Sequence, residues 1–470
     1  MGTYHYLSHH LKCLPADHAC QRCLQLNIPC IPSASLRFRH FPVSFPTDQP
    51  WFNRRALRFI QESSDDIAHY PDDEGSNDIT PLPKPCNTRL SAILLRFFAS
   101  DIAVRFDLCD PQSHFSRVVP QRARSSPPLL HAILTTSARH LIRIPRYRNA
   151  AGVVEWQGHC LPDLTEESAV RYHNECIRDL LALSMDPVQI HNDDLLAAAI
   201  ILRTDEEMDA PLREEPEDHE VFLRMLAVFI AAQIAQPGTV GGFREVAFWI
   251  ALRQEVFTSF VKQRALNFPL AHCEAFRSLS PAEDPVWANR LIIFCADVLE
   301  YCYGSGEVAP EHSSTRWCEL VEYQNLLARH LPASFEPLYN RSPDHAAGEV
   351  FPEIWHLDRW HVTGVSHAEL ARILLVVFDP MRPRLGPGSA AGQRAMAEEV
   401  RGIVRRLCGM AVCNRRLPPV FNTALMGIVT CGEYFEERRE QEALLGVLGV
   451  MQREHAFPTS KIEERFDWSR

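Results

Sequence analysis

From about Arg89 onward, apolar residues recur at three- and four-residue steps. Leu90, Ile93, Leu94, Phe97, Phe98 and Ile102 fall on one face of a helix drawn through them. Phe243, Val246, Ile250, Phe257 and Phe260 repeat the pattern, as do Ile373, Leu374 and Val377, then Leu444, Leu445, Leu448 and Met451. Leu195–Leu202 is apolar at every position. It is far shorter than the roughly 18 apolar residues that signal a membrane span, so it reads as a helix buried on all sides. Asn192 or Asp193 suits its N-cap. For the helix through Trp287 two starts compete, Ser280-Pro281-Ala282-Glu283 and Asp284-Pro285 one turn later. Alternating β-branched runs are few, which argues against a sheet of any size. No fixed-period repeat stands out, and no sustained heptad follows Cys30. The pattern predicts an all-α body over 89–470, about a dozen helices in one or two packed layers.

The chain upstream is different. Residues 41–88 are rich in Pro and carry the acidic run Pro71-Asp72-Asp73-Glu74-Gly75, a composition that buries little and reads as a linker. Residues 1–40 are cysteine-rich and basic. Charge sharpens the contrast. Residues 1–60 hold seven basic side chains and two acidic ones, a net charge of +5, which leaves −16 for the rest of a chain whose total is −11. A basic head on an acidic body is expected where only the head meets phosphate. With 470 residues and 46% hydrophobic content, the body has ample material for a core. The opening MGTYHYLSHHLKC offers no apolar stretch of the kind a secretory signal needs. Most of the fifteen cysteines are scattered through apolar segments, as buried thiols in a reducing compartment are.

Four cysteines break that scatter. Cys13, Cys20, Cys23 and Cys30 read C-x6-C-x2-C-x6-C. Two thiolates separated by two residues chelate one ion, and four suit tetrahedral zinc. The competing readings are a chance cluster of thiols or a redox CxxC, but neither a βαβ context nor a secreted setting is present.

This pattern resembles the fungal binuclear zinc-cluster regulators, in which six cysteines hold two zinc ions. Cys13 matches the third cysteine of the family, and Cys20, Cys23 and Cys30 match the fourth to sixth. Leu11-Lys12-Cys13 matches the basic stretch before the third cysteine, and Arg22 the basic place inside the second CxxC. The first two cysteines fall at positions 6 and 3, where Tyr6 and Thr3 stand, and His9 and His10 replace Arg or Lys. Four cysteines cannot hold two zincs in the family's way. One zinc on Cys13, Cys20, Cys23 and Cys30, or with His9 or His10 substituting, is chemically sound. Two explanations fit: a natural sequence before Leu11 that differs from this one and carries the missing CxxC and basic run, or a regulator without autonomous DNA binding. The abrupt onset of likeness at Leu11, as at a splice junction, favours the first. The resemblance implies a short helix in the major groove reading a CGG triplet, with Lys12 at that surface and Arg22, Arg37 and Arg39 at phosphates. For Arg37 and Arg39 a solvated basic strand is an equal alternative. Zinc as cofactor, double-stranded DNA, a homodimer and the transcription machinery or its coregulators as partners, and a nuclear location follow from the same likeness.

The likeness continues beyond the cysteines. Ser35–His40 and Asp48–Trp51 resemble the segment that follows the cluster in one subgroup. Arg105–Asp110, Val119–Ala123, Ser137–Leu141, Asp193–Ala198, Ala247–Glu255, Trp287–Arg290 and Gly348–Trp355 resemble its helical regulatory domain, the second type of fungal-specific transcription factor domain. Coverage by this reading runs from about 11 to 460, and it implies an all-helical domain that regulates activation. An enzyme is the rival class. His356, His361 and His367 lie near Glu353 and Glu369, but HExxH is absent and histidines that cap or pack helices are expected instead. Gly386–Gly392 has the glycine content of a phosphate loop without the preceding strand or the Lys-Ser/Thr ending. A turn with Ser389 capping the next helix is expected. No GxSxG elbow occurs and no catalytic residue is assigned. Cys295 and Cys302 have core spacing. Arg139, His140, Arg253 and Arg290 are expected to be structural partners rather than pocket residues, and Trp249, Trp287, Trp355 and Trp360 to be core.

Overall fold

The computed structural model describes residues 88–184, 191–209, 221–234, 242–267, 270–304, 310–466 and 468. All lie in Pro85–Arg470, one of two units into which the chain divides. Among them the secondary structure is helical apart from two short hairpins. The all-α reading is therefore right, and no helix among the described residues is long and apolar enough to cross a membrane.

Helix α1 (Arg89–Phe97) starts where Thr88 Oγ1 accepts a hydrogen bond from Ser91 N, 3.1 Å away. It ends in a π turn, Phe98–Ile102, and a 3₁₀ turn, Ala103–Arg105. The one-turn change of winding redirects the chain without releasing the apolar face, since Phe98 and Ile102 stay fully buried. The short helices α2 (His114–Arg117) and α3 (Val119–Arg122) follow. Then come α4 (Pro127–Arg143), the hairpin β1 (Glu155–Trp156) and β2 (His159–Cys160), α5 (Glu166–Ser184), α6 (Asp193–Asp209), α7 (Val221–Ile234) and α8 (Phe243–Lys262). After a 3₁₀ stretch, Leu270–Arg277, the chain continues with α9 (Asp284–Tyr303) and α10 (Pro310–His330). The second hairpin, β3 (Tyr339–Arg341) and β4 (Glu353–Trp355), leads into α11 (Arg359–Val377), α12 (Ser389–Cys413), α13 (Pro418–Cys431), α14 (Arg438–His455) and α15 (Ser460–Phe466).

Packing sets the order. Helix α4 is flanked by α5 and α6, α9 lies along α11, and α12 and α13 pack on each other and on α11. Helix α8 touches α6 and α7 on one side and α9 and α13 on the other, so it joins the two groups. Every residue of Leu195–Leu202 is at most 1% exposed, as its unbroken apolar run predicts. Asn192 caps that helix through Oδ1, which accepts from Asp194 N at 2.9 Å. Helix α9 takes the later of its two candidate starts. Glu283 is its N-cap and Pro285 sits in the first turn. Asp284 is thereby free to accept from Ser334 Oγ (2.9 Å) and to pair with His361 Nε2 (2.8 Å). Ser389 is not a cap: it is the first residue of α12, and Gly388, at φ +89°, precedes it.

Candidate functional site

The cysteines and basic residues singled out in the sequence, Lys12, Cys13, Cys20, Arg22, Cys23, Cys30, Arg37 and Arg39, lie outside the described residues. Among the described residues no cluster of His, Cys, Asp or Glu is arranged to hold a metal. His361 pairs with Asp284, and His367 uses Nδ1 on Thr363 O at 2.7 Å. Burial holds His356 and His367 down at about 4, so both are neutral imidazoles, His367 within α11 and His356 in the connection from β4 to that helix. Cys295 is fully buried and Cys302 half-buried, with both thiols pushed well up by burial. Trp249 and Trp287 are core, and Trp360 is half-buried. Trp355 departs from expectation: it is 49% exposed, tilted against Tyr339 across the β3–β4 hairpin.

The site that the described residues do form is a cavity of about 70 Å³ beside α8. Ile250, Arg253, Gln254 and Phe257 supply one wall from that helix. Thr204 and Glu207 of α6 supply another. Thr363, Ser366 and His367 of α11 face them, with Val420, Thr423 and Met426 of α13. Arg105, at the end of the 3₁₀ turn, closes the ring together with Phe106 and Leu108.

Local sequence explains this placement. Asp107 is 1% exposed. Its Oδ1 accepts from Phe115 N (2.8 Å), and its Oδ2 accepts from Ser116 N (2.9 Å) and Ser116 Oγ (2.8 Å). Asp110 accepts from Gln112 N and His114 N and contacts His114 Nδ1 at 2.8 Å. The two aspartates tie Arg105–Asp110 to the turn of α2, which positions Arg105, Phe106 and Leu108 as cavity wall. Arg122 and Arg244 both reach Asp193, and Arg122 also reaches Asp194, so the start of α6 is pinned to α3 and α8.

The lining is more apolar than polar, and its polar groups are unevenly satisfied. Arg105 Nη2 donates to His455 O (3.1 Å) and Arg253 Nη2 donates to Phe106 O (2.9 Å). Among the described residues no carboxylate lies within 4.0 Å of either guanidinium. Burial pulls Arg105 down to about 10 and lowers Arg253 as well. Glu207, whose Oε1 is 3.6 Å from Arg203 Nε, is pushed up to about 7 by burial. The Oε1 of Gln254 is buried without a hydrogen-bond partner, while its Nε2 donates to Ile200 O and Thr204 Oγ1. The expectation that Arg253 is a structural ion-pair partner is thus corrected: it is a cavity residue whose hydrogen bond goes to a carbonyl. Arg139 does have a carboxylate near, Asp205 at 3.7 Å. Arg290 donates to Ser280 O and lies over the Trp287 ring. His140 is buried against Phe97.

Residues 93–276 match the family model of the fungal specific transcription factor domain. The match runs from α1 to the 3₁₀ stretch after α8, and so includes Arg105, Glu207, Arg253 and Gln254 but not α11 or α13. The likeness read from sequence beyond this span, at Trp287–Arg290 and Gly348–Trp355, falls outside the match. No curated protein and no solved structure matches the chain. Residues 93–276 are thus similar to a domain of transcription regulators, over a span that covers less than half of the chain.

Proposed function

We propose that the protein is a nuclear, zinc-dependent, sequence-specific regulator of RNA polymerase II transcription. The observation that carries this reading is the match of residues 93–276 to the fungal specific transcription factor domain. The cysteine pattern and the charge split between head and body support it. Cys13, Cys20, Cys23 and Cys30 are a thiolate set suited to one tetrahedral zinc, not to a two-zinc cluster. Bound there, zinc supplies folding energy that so small a module lacks. Lys12 has the donor chemistry for guanine O6 and N7, and Arg22, Arg37 and Arg39 that for phosphates. Double-stranded DNA is the primary partner. A homodimer and the transcription machinery or its coregulators are further ones.

A second reading draws on one observation: Tyr6 and Thr3 stand where the family has its first two cysteines. On it the protein is a coregulator that does not bind DNA alone. Fluorescence anisotropy of the zinc-loaded chain with a CGG-containing duplex separates the two. Binding that weakens steeply with salt and is lost in Cys20→Ser and Cys23→Ser supports the regulator. A flat salt response, or variants that bind like the wild type, removes the basic head as the DNA-binding surface.

A further inference from the structure

We propose that the cavity between α6, α8, α11 and α13 is a binding site for a small organic anion, a compound with one or two carboxylates, held by Arg105 and Arg253. The inference does not depend on the zinc module or on DNA binding, because every residue in it belongs to the helical body.

Size is the first constraint. A water molecule needs on the order of 10–15 Å³ of such space. A volume of about 70 Å³ therefore admits roughly five water-sized groups. That suits a compound of a few carbons and excludes a nucleotide or a fatty acyl chain.

Donor arithmetic is the second. A guanidinium carries five N–H donors in a planar fork that matches a carboxylate. Arg105 and Arg253 each spend one on a backbone carbonyl from another part of the chain, which fixes their position and leaves other donors uncommitted. Arg105 Nε is buried with no partner. Two half-buried cations lining one cavity, neither within 4.0 Å of a carboxylate among the described residues, form an arrangement that an anion would complete.

The neighbouring charge is mixed: Glu207 and Asp205 act on Arg105, and Asp107 and Asp110 on Arg253, from beyond salt-bridge distance. Glu207, pushed up to about 7 by burial, is partly neutral near that pH and in its acid form supplies a proton for a hydrogen bond. His367 is a neutral imidazole with Nδ1 spent on Thr363 O, and the hydroxyls of Thr363, Ser366 and Thr423 already donate to backbone carbonyls, so Thr204, whose Oγ1 accepts from Gln254 Nε2, is the lining hydroxyl that can turn its proton to a ligand. Ile250, Met426 and Val420 leave an apolar strip for a short carbon chain. Since α6 and α8 lie within the transcription factor domain match and α11 and α13 outside it, the anion would bridge the two parts of the body. An effector whose binding changes their packing needs that position.

The test is thermal unfolding and titration calorimetry of the full chain with acetate, succinate, 2-oxoglutarate, citrate and inorganic phosphate, each against chloride at equal ionic strength. At least one carboxylate is expected to raise the melting temperature by several degrees in a saturable way, with phosphate weaker. Arg105→Met and Arg253→Met should each weaken binding of that compound at least tenfold. Val420→Phe, which keeps both cations and fills the cavity, should abolish the response in a folded protein and so guards against arginine variants that fail to fold. If none of the five anions exceeds chloride, or if Val420→Phe and Arg253→Met respond like the wild type, the cavity holds water only and the proposal is overturned.

Discussion

Asp107 shows how one carboxylate does what a sequence motif leaves unsaid. Arg105–Asp110 is recognisable as a family-like stretch, but the sequence does not say which of its residues act through the backbone and which face inward. The structure separates them. Asp107 and Asp110 accept hydrogen bonds from the turn of α2, and Arg105, Phe106 and Leu108 face the cavity. Asp107→Asn puts an amide N–H₂ against the N–H of Phe115 or Ser116 and leaves a buried donor unsatisfied. A loss of about 1–3 kcal/mol is expected in urea unfolding at unchanged m-value, and a cost within error would mean that the turn does not depend on this acceptor. Arg253 and Gln254 carried a usable signal: adjacent polar residues in a helix whose neighbours Ile250, Ala251 and Leu252 are core. Glu207 carried none, because an acidic run at a helix end reads as solvated surface. It is 8% exposed, and only the packing of α6 against α8 reveals that.

At the scale of elements, periodicity located the helices because each buries a stripe and the stripe leaves its spacing in the sequence. It could not locate their crossings. Helices α9 and α11 approach tightly where Gly364 faces Ala288: a Cβ on Gly364 would lie 2.9 Å from Ala288 Cα and 3.1 Å from Leu291 Cδ1. Gly364→Ala is therefore expected to destabilise by about 1–3 kcal/mol through overpacking, even though alanine is the better helix former. A melting temperature at or above that of the wild type would show that the pair can separate at no cost. The two hairpins were not foreseen, since strands of two or three residues have no alternation to read. Gln157-Gly158, both at positive φ, close the first as a two-residue turn, with a glutamine in place of the usual Asn or Asp.

Across the whole molecule, burial of neutral histidines sets the response to acid. His140, His356, His367 and His455 are all held below the usual imidazole range, His356 and His367 at about 4 and His455 at about 3, with burial the largest cause. In the unfolded chain they bind protons below about pH 6.5, while in the folded chain they remain neutral. Their contribution to stability is complete above that value and is lost as pH falls toward 4. Glu207 acts in the opposite direction. Its folded value near 7 favours the neutral form, a contribution present below about 4.5 and lost as pH rises through 7. Four groups outweigh one, so stability should fall by on the order of 3 kcal/mol per pH unit between about pH 6 and 5. Urea midpoints at the two pH values check this, and equal midpoints would mean that water reaches these rings. The charge split between head and body was legible at once, because counting needs no fold.

The claim on which the functional account turns is that Cys13, Cys20, Cys23 and Cys30 bind zinc. Metal analysis of the purified chain after zinc supplementation and desalting, repeated with Cys20→Ser and Cys23→Ser, measures it directly. The account predicts about one zinc per wild-type chain, as four thiolates around one ion require, and much less in either variant. Zinc-free wild-type protein, or variants that retain the metal, would contradict it.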